Sequence, residues 1–208
     1  MYQQSAGRKM SRLGRVLVIA PLMFAVVIIT TGYSDQPHVG ASALPTRSHS
    51  KLVTRVFSLV RSSPIRIQIP SIGVDSKLMK LGLLKDGTLE VPPSAFPAGW
   101  YTGSPSPGEM GPSIIAGHID WNGPGVFYRL NQMRLGEQIK IDRVDGSRAT
   151  FTVTRIAAFL KSKFPTTAVY GDLNFPGLRL ITCGDYDFKT HKYLRDTVVF
   201  AELNSQGL

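Results

Sequence analysis

The sequence predicts an all-β fold, a sandwich or a barrel of short strands, for the part of the chain after residue 63. Segments that alternate apolar and polar residues recur there, and the long 3.6-residue periodicity of helices does not. The 208 residues include 20 Gly and 14 Pro, a content that favours many turns over a helix bundle. Apolar residues make up 43% of the chain, which is enough for a core.

Six segments have the pattern of strands, and turn residues separate them. Asp86-Gly87 and Asp145-Gly146, for example, are typical of tight turns between strands. Short helical turns are expected at residues 126–130 and 165–170. The predicted strands cover residues 65–69, 113–117, 138–143, 149–159, 178–182 and 197–203.

The N-terminal region, residues 1–63, differs from the rest of the chain in charge and hydropathy. It holds eight Lys and Arg residues and one acid, and so carries +7 of the net charge of +10. Residues 1–15 are basic, and residues 16–33 contain no charged side chain. A helix needs about 20 apolar residues to span a bilayer, with a lower limit of about 17. We therefore predict a cytoplasmic basic segment at 1–15 and a transmembrane anchor at 16–33.

The segment after the anchor sets the remaining boundaries. Residues 34–63 are rich in Ser, Thr, His and Pro and are predicted to be a flexible linker. Residues 64–204 are predicted to be the folded domain. Ala41-Ser-Ala43 has the A-x-A pattern of a cleavage site, but it lies about ten residues past the apolar run. We favour an uncleaved anchor, which makes the protein a single-pass membrane protein with its domain outside the cytoplasm.

Several function classes lack their sequence features. Residues 64–208 carry a net charge of only +3, so a nucleic acid partner is not favoured. Phosphate-binding glycine loops, an H-E-x-x-H zinc motif and a G-x-S-x-G elbow are absent from the sequence. A two-carboxylate glycosidase stays open, although nothing selects the pair. We predict no metal and no cofactor.

Cys183 is the only cysteine, which excludes an internal disulfide and a multi-cysteine metal site. It follows the predicted strand 178–182, at a strand end where a side chain can face a cleft. A nucleophilic role requires the thiolate, and therefore a nearby base or cation. A buried, unreactive thiol is the alternative at this point.

Two residues are candidate partners of this thiol. His118 ends the apolar segment 114–117, where a structural role is equally consistent. Arg195 lies twelve residues after Cys183. If the strands around them form a hairpin-like pair, its guanidinium comes back beside the thiol and can donate hydrogen bonds to a developing oxyanion. A surface salt bridge is as consistent with Arg195, and Arg179 is the rival cation.

These residues together resemble the motifs of the sortases. Leu180-Ile-Thr-Cys183 resembles the T-L-x-T-C signature without its leading Thr. Ala116-Gly-His118 resembles the segment with the catalytic His, and Tyr193-Leu-Arg195 resembles the strand with the catalytic Arg. Residues 123–130 and 163–166 are similar to the actinobacterial class E and class F sortases, and we favour class F. The resemblance covers about residues 64–204.

The resemblance implies a closed eight-stranded β-barrel with short helices and a cysteine transpeptidase. Cys183 would attack a Leu-Pro-x-Thr-Gly-like sorting signal between Thr and Gly, with His118 as acid and base and Arg195 at the oxyanion. Thr182 would help to position the substrate. The acyl group would pass to an amine on a peptidoglycan precursor or a pilin, which anchors exported proteins to the cell wall.

Two other interpretations remain. One is a different exported Cys/His enzyme such as an L,D-transpeptidase, although the usual motif of that family places the His a few residues before the Cys, unlike Ile181-Thr-Cys-Gly184. The other is a membrane-tethered β-domain that binds a partner and has an inert Cys183.

Overall fold

The computed structural model describes residues 57–204, which form a closed barrel of eight strands. The all-β prediction and the eight-stranded barrel are confirmed. The described residues also contain one short α-helix, α1 (Thr166–Tyr170), and 3₁₀ turns at Pro70–Ile72, Leu130–Gln132 and Lys161–Lys163. The strands are β1 (Pro64–Ile69), β2 (Val74–Leu81), β3 (Ala98–Tyr101), β4 (Gly111–Ala116), β5 (Gln138–Arg143), β6 (Arg148–Leu160), β7 (Pro176–Asp187) and β8 (Lys192–Leu203).

The strands follow the order β1-β2-β3-β4-β7-β8-β6-β5 around the barrel, and β1 pairs with β5 to close it. The pairs β2–β3 and β4–β7 are parallel, and the other pairs are antiparallel. β7 therefore lies between β4, which leads to His118, and β8, which contains Arg195. This order brings His118, Cys183 and Arg195 to the same end of the barrel.

The barrel interior is filled by the apolar residues of alternating strand positions, because successive side chains of a strand point to opposite faces. Ile67 and Ile69 of β1 and Ile139 and Ile141 of β5 are fully buried there. Phe127, from the connection after β4, fills the same core. Complete burial of a side chain of this size contributes about 1.5–3 kcal/mol to the stability of the fold. The packed core therefore keeps the strands that carry the site in fixed positions.

The six predicted strands are all present, with ends that differ by a few residues, and α1 lies in the predicted helical turn 165–170. β2 and β3 were not predicted from the pattern. β3 is very short, and Gly99 within it packs so closely against Leu81 that a Cβ there would overlap that side chain. In β2 the alternation of buried and exposed positions holds only over its first four residues.

The described residues before β1 contact the barrel. Leu59 donates its backbone N–H to the carbonyl of Gly108, and the buried guanidinium of Arg143 donates to the carbonyl of Val60. No helix within residues 57–204 is long and apolar enough to cross a bilayer. The predicted anchor at 16–33 lies outside the described residues.

Candidate active site

Cys183 lies where β7 changes from buried to exposed. Thr182 is 4% exposed, Cys183 is half-buried, and Asp185 is exposed. The apolar residues before Thr182 hold this part of β7 in the barrel wall, and the polar residues after Cys183 extend beyond the core. The thiol is therefore fixed by a rigid strand and still accessible from the cavity described below.

His118 comes level with Cys183 because of the register between two parallel strands. Ala116 of β4 lies beside Ile181 of β7. Gly117 continues the pairing by donating its N–H to the carbonyl of Ile181. His118 and Cys183 each lie two positions beyond the paired Ala116 and Ile181, so the parallel register itself brings the imidazole and the thiol to one end of the strands.

The backbone around His118 is held by close packing. Phe127 donates its N–H to the carbonyl of His118 at 2.9 Å, and a Cβ on Gly125 would overlap the same oxygen. The imidazole Nε2 lies 2.7 Å from the carbonyl oxygen of Pro92, and the ring packs beside Trp121 with centroids 4.9 Å apart. When the ring is neutral, this carbonyl favours the tautomer with the proton on Nε2, which leaves Nδ1 as the free base.

Cys183 and His118 line the same cavity, which has a volume of about 270 Å³. The β2–β3 connection forms another part of its wall through residues 89–92, and Tyr170 of α1 forms a further part. Thr182 also lines it, and Oγ1 of this buried residue has no hydrogen-bond partner within the described part of the chain.

Arg195 lies on the strand next to Cys183 but not on the same face of the sheet. In the β7–β8 pair, Arg195 is opposite Gly184 and Cys183 is opposite Asp196. Opposed residues of an antiparallel pair share a face, and the cavity is accordingly lined by Asp196 and not by Arg195. Arg195 instead forms an ion pair with Asp185, with 2.8 Å between Nε and Oδ2. The structure thus brings Cys183, His118 and Thr182 together and places the Arg195 guanidinium outside the cavity.

Lys161 is a residue of the cavity that the sequence reasoning missed. Its Nζ lies 3.5 Å from Sγ of Cys183 and 3.2 Å from Oδ1 of Asp196. It begins the 3₁₀ turn after β6, and the pairing of Phe159 with Asp196 brings that turn beside the N-terminal half of β8. The spacing between Lys161 and Cys183 along the chain matches no motif, so only the strand pairing could have indicated this contact.

Burial and charge act in opposite directions on the thiol. Burial raises the pKa of Cys183, the ammonium group of Lys161 lowers it, and the net result is a raised pKa. Burial lowers the pKa of Lys161, but the attraction of Cys183 and Asp196 outweighs it, so that pKa is raised overall. The resting site therefore holds a mostly neutral thiol beside a charged ammonium group at pH 7.

Asp120 bonds to β8. Tyr193 donates its hydroxyl hydrogen to Oδ2 of Asp120, and burial together with this carboxylate raises the pKa of Tyr193.

Within residues 57–204, no group of three or more His, Cys, Asp or Glu side chains is arranged to hold a metal ion.

A barrel that presents one thiol and one imidazole to a shared cavity has the arrangement of a cysteine enzyme. The family model for the Sortase domain matches residues 67–204, and the chain belongs to the sortase family. It is therefore a cysteine transpeptidase, and the two other interpretations, an L,D-transpeptidase and an inert binding domain, are set aside.

Solved sortases share the fold at low sequence identity. Sortase A from Corynebacterium diphtheriae, as a lid mutant, is 21% identical with a TM-score of 0.54, over 71% of this chain and 73% of that one. Sortase C1 from Streptococcus agalactiae is 18% identical with a TM-score of 0.55, over 68% and 67%. The sortase D5 transpeptidase of Clostridium perfringens is 21% identical with a TM-score of 0.51, over 71% and 83%. No curated protein sequence gives a significant match.

Proposed function

We propose that this sortase cleaves a Leu-Pro-x-Thr-Gly-like sorting signal between Thr and Gly and transfers the acyl group to an amine. The observation that carries this proposal is the shared cavity, which Cys183 of β7 and His118, just after the parallel strand β4, both line. The wall of this cavity is mainly apolar, with Ile181, Phe164 and Leu89 among its residues. Such a wall suits the Leu and Pro side chains of the signal.

The chemistry proceeds through a thioester. The Cys183 thiolate attacks the Thr carbonyl carbon and forms a C–S bond, and the C–N bond to Gly then breaks. His118, as imidazolium, gives its proton to the leaving amine. An incoming amine attacks the thioester, His118 takes the proton from that amine, and the thiolate leaves. Arg195 donates hydrogen bonds to the oxyanion of both tetrahedral intermediates, and Thr182 helps to position the substrate.

Arg195 has to release Asp185 before it can reach an oxyanion in the cavity. The pair is exposed, with 43% of the Arg195 side chain and 65% of the Asp185 side chain accessible. Exposed ion pairs are worth about 0–1 kcal/mol, so the carbonyl oxygen of a bound substrate can compete for the guanidinium. We infer that substrate binding brings Arg195 to the cavity.

The proposed acceptor rests on the family, and the proposed location rests on the N-terminal sequence. We propose that an amine of a peptidoglycan precursor or a pilin accepts the acyl group, which anchors exported proteins to the cell wall. The proposed arrangement is a cytoplasmic segment at 1–15, a membrane anchor at 16–33, a linker at 34–63 and the catalytic domain at 64–204 outside the cytoplasm. Residues 123–130 and 163–166 are similar to the class E and class F sortases, and we propose class F.

The test is cleavage of a quenched Leu-Pro-Ala-Thr-Gly peptide by the full chain in detergent, with and without an amine acceptor. Wild type should release the Gly fragment, form an amide with the acceptor, and yield a mass adduct on Cys183. The Cys183→Ala variant should do none of these. Folded wild type that leaves the peptide intact over a long incubation would contradict the proposed signal, and cleavage at another bond would correct it.

A further inference from the structure

We propose that Lys161 is a catalytic residue of this sortase, whose ammonium group stabilises the Cys183 thiolate, and that Asp196 positions it. The inference rests on the proposed role of Cys183 as nucleophile. The motifs that resemble the family supply a His and an Arg as partners of the thiol, whereas Lys161 comes from the structure alone.

The geometry places the ammonium group between a sulfur and a carboxylate. Nζ of Lys161 lies 3.5 Å from Sγ of Cys183 and 3.2 Å from Oδ1 of Asp196. Asp196 is opposite Cys183 in the β7–β8 register, so both side chains lie on the cavity face. Asp196 is only 19% exposed, and its position in the strand fixes one end of the contact. The carboxylate therefore holds Nζ where a thiolate forms.

The charges fit this role. A cation in contact with a thiol favours the thiolate and lowers the pKa of the thiol. Burial raises the pKa of Cys183, and the ammonium group of Lys161 offsets part of that effect. The raised pKa of Lys161 keeps its side chain charged at neutral pH. Without Lys161, the half-buried thiol would give up its proton at a still higher pH.

Two cations thus serve two different atoms. Lys161 contacts the sulfur in the resting enzyme, while Arg195 is held by Asp185 on the other face of the β7–β8 pair. The sulfur carries the negative charge before attack, and the substrate oxygen carries it after attack. Lys161 acts on the first of these states and Arg195 on the second.

Other titratable side chains also surround the thiol, and a test of Lys161 has to leave them unchanged. They come from the β2–β3 connection, the segment after β4, α1 and β8, and they are Glu90, His118, Asp120, Tyr170, Tyr193 and Asp196. A variant at Lys161 leaves all of them in place, so a change in the titration of the thiol can be assigned to the loss of this one charge.

The experiment measures the alkylation rate of Cys183 by iodoacetamide, a neutral reagent, between pH 5 and 11 in the full chain. Lys161→Met should move the profile to higher pH and slow alkylation at pH 7 about tenfold, because an opposite charge in contact shifts a pKa by about one or more. The rates should converge above the thiol pKa. Lys161→Arg should retain most of the wild-type rate, and Lys163→Met, on the same exposed turn, should match wild type.

A Lys161→Met profile that superimposes on wild type in folded protein, as judged by circular dichroism, would overturn the proposal. Lys161→Gln gives the same test if the Met variant does not fold. Peptide cleavage by the same samples separates the two proposals. A shifted alkylation profile without cleavage by wild type would support Lys161 and contradict the proposed sorting signal, whereas cleavage with an unshifted profile would do the reverse.

Discussion

β7 and β8 pair along their whole length, but the two halves of the pair differ. In the inner half, residues 177–182 lie beside residues 197–202, and most side chains are buried and apolar, with Leu178, Leu180 and Val199 fully buried. In the outer half, residues 183–187 lie beside residues 192–196, and most side chains are half-buried or exposed and are polar or aromatic.

The difference shows how one pair of strands serves two purposes. Burial in the inner half stabilises the barrel and fixes the position of the next residue, while the outer half leaves reactive groups accessible to substrate. Cys183 stands at the boundary, one residue after the buried Thr182. Substitutions in the inner half should therefore change the free energy of unfolding, and substitutions in the outer half should change activity.

The largest effect is expected for Cys183→Ala at the boundary. Loss of the nucleophile should lower kcat at least about a thousandfold, because no other group can form the thioester. The free energy of unfolding should change by less than about 1 kcal/mol, since the side chain is small and half-buried. Peptide cleavage and urea unfolding measure the two quantities. A variant that loses stability together with activity would break the proposed separation of the two halves.

A pair of leucine substitutions tests the inner half against the outer half. Leu180→Ala should lower the free energy of unfolding by about 2–5 kcal/mol, because this side chain is fully buried in the core. Leu194→Ala, at a position 46% exposed, should lower it by less than about 1 kcal/mol. Urea unfolding of both variants checks this, and equal losses would contradict the comparison.

Arg195→Ala tests the outer half alone. Removal of one oxyanion donor should lower kcat about a hundredfold and leave the urea midpoint near that of wild type. Arg195→Lys should recover only part of the rate, since an ammonium group lacks the planar fork of the guanidinium. Arg148→Ala is the matched control and should keep full activity, because Arg148 is half-exposed and lies at the start of β6, whereas Arg195 pairs with Leu160 at the other end of that strand. An active Arg195→Ala enzyme would show that Arg195 remains a surface ion pair.

Asp185→Asn should produce the smallest effect, and in the opposite direction. The change releases Arg195 from its partner, so kcat/KM should rise by at most about fivefold, which corresponds to the roughly 1 kcal/mol of an exposed ion pair. The increase should be smaller at high salt, where the wild-type pair is already screened. A decrease in kcat/KM would indicate that Asp185 orients Arg195 for catalysis and does not restrain it.

The fold class and two site residues could be predicted from the sequence for physical reasons. Alternation with period two marks strands that bury one face, and β5 shows it, whereas β4 and the first five residues of β7 are buried throughout. Cys183 and His118 both followed apolar strands, so each was expected at a strand end. His118 does follow the end of β4, but Cys183 lies within β7, which continues to Asp187, and both residues line one cavity.

The remaining features, two strands and two site residues, depend on which strands pair and in which register, and a single sequence does not show this. The short β3 and the irregular β2 acquire their conformation from their neighbours in the barrel. Arg195 does return to the part of β7 that contains Cys183. It pairs with Gly184, however, so its side chain lies on the face of the β7–β8 pair opposite to that of Cys183. Lys161 reaches the thiol only because β6 pairs with β8.

The position of β8 in the barrel has a consequence for the order of folding. Among residues 57–204 it is the last strand in sequence order, yet it lies between β7 and β6. A chain without residues 192–203 would have two open sheet edges, which are prone to pair with other chains, and it would lack Asp196 beside the thiol. The pairing of β8 with β7 is a local hairpin, whereas its pairing with β6 joins residues distant in sequence, and such long-range pairing slows folding. The contacts of Lys161 and Asp196 around the thiol are therefore complete only after β8 has joined β6 in the barrel.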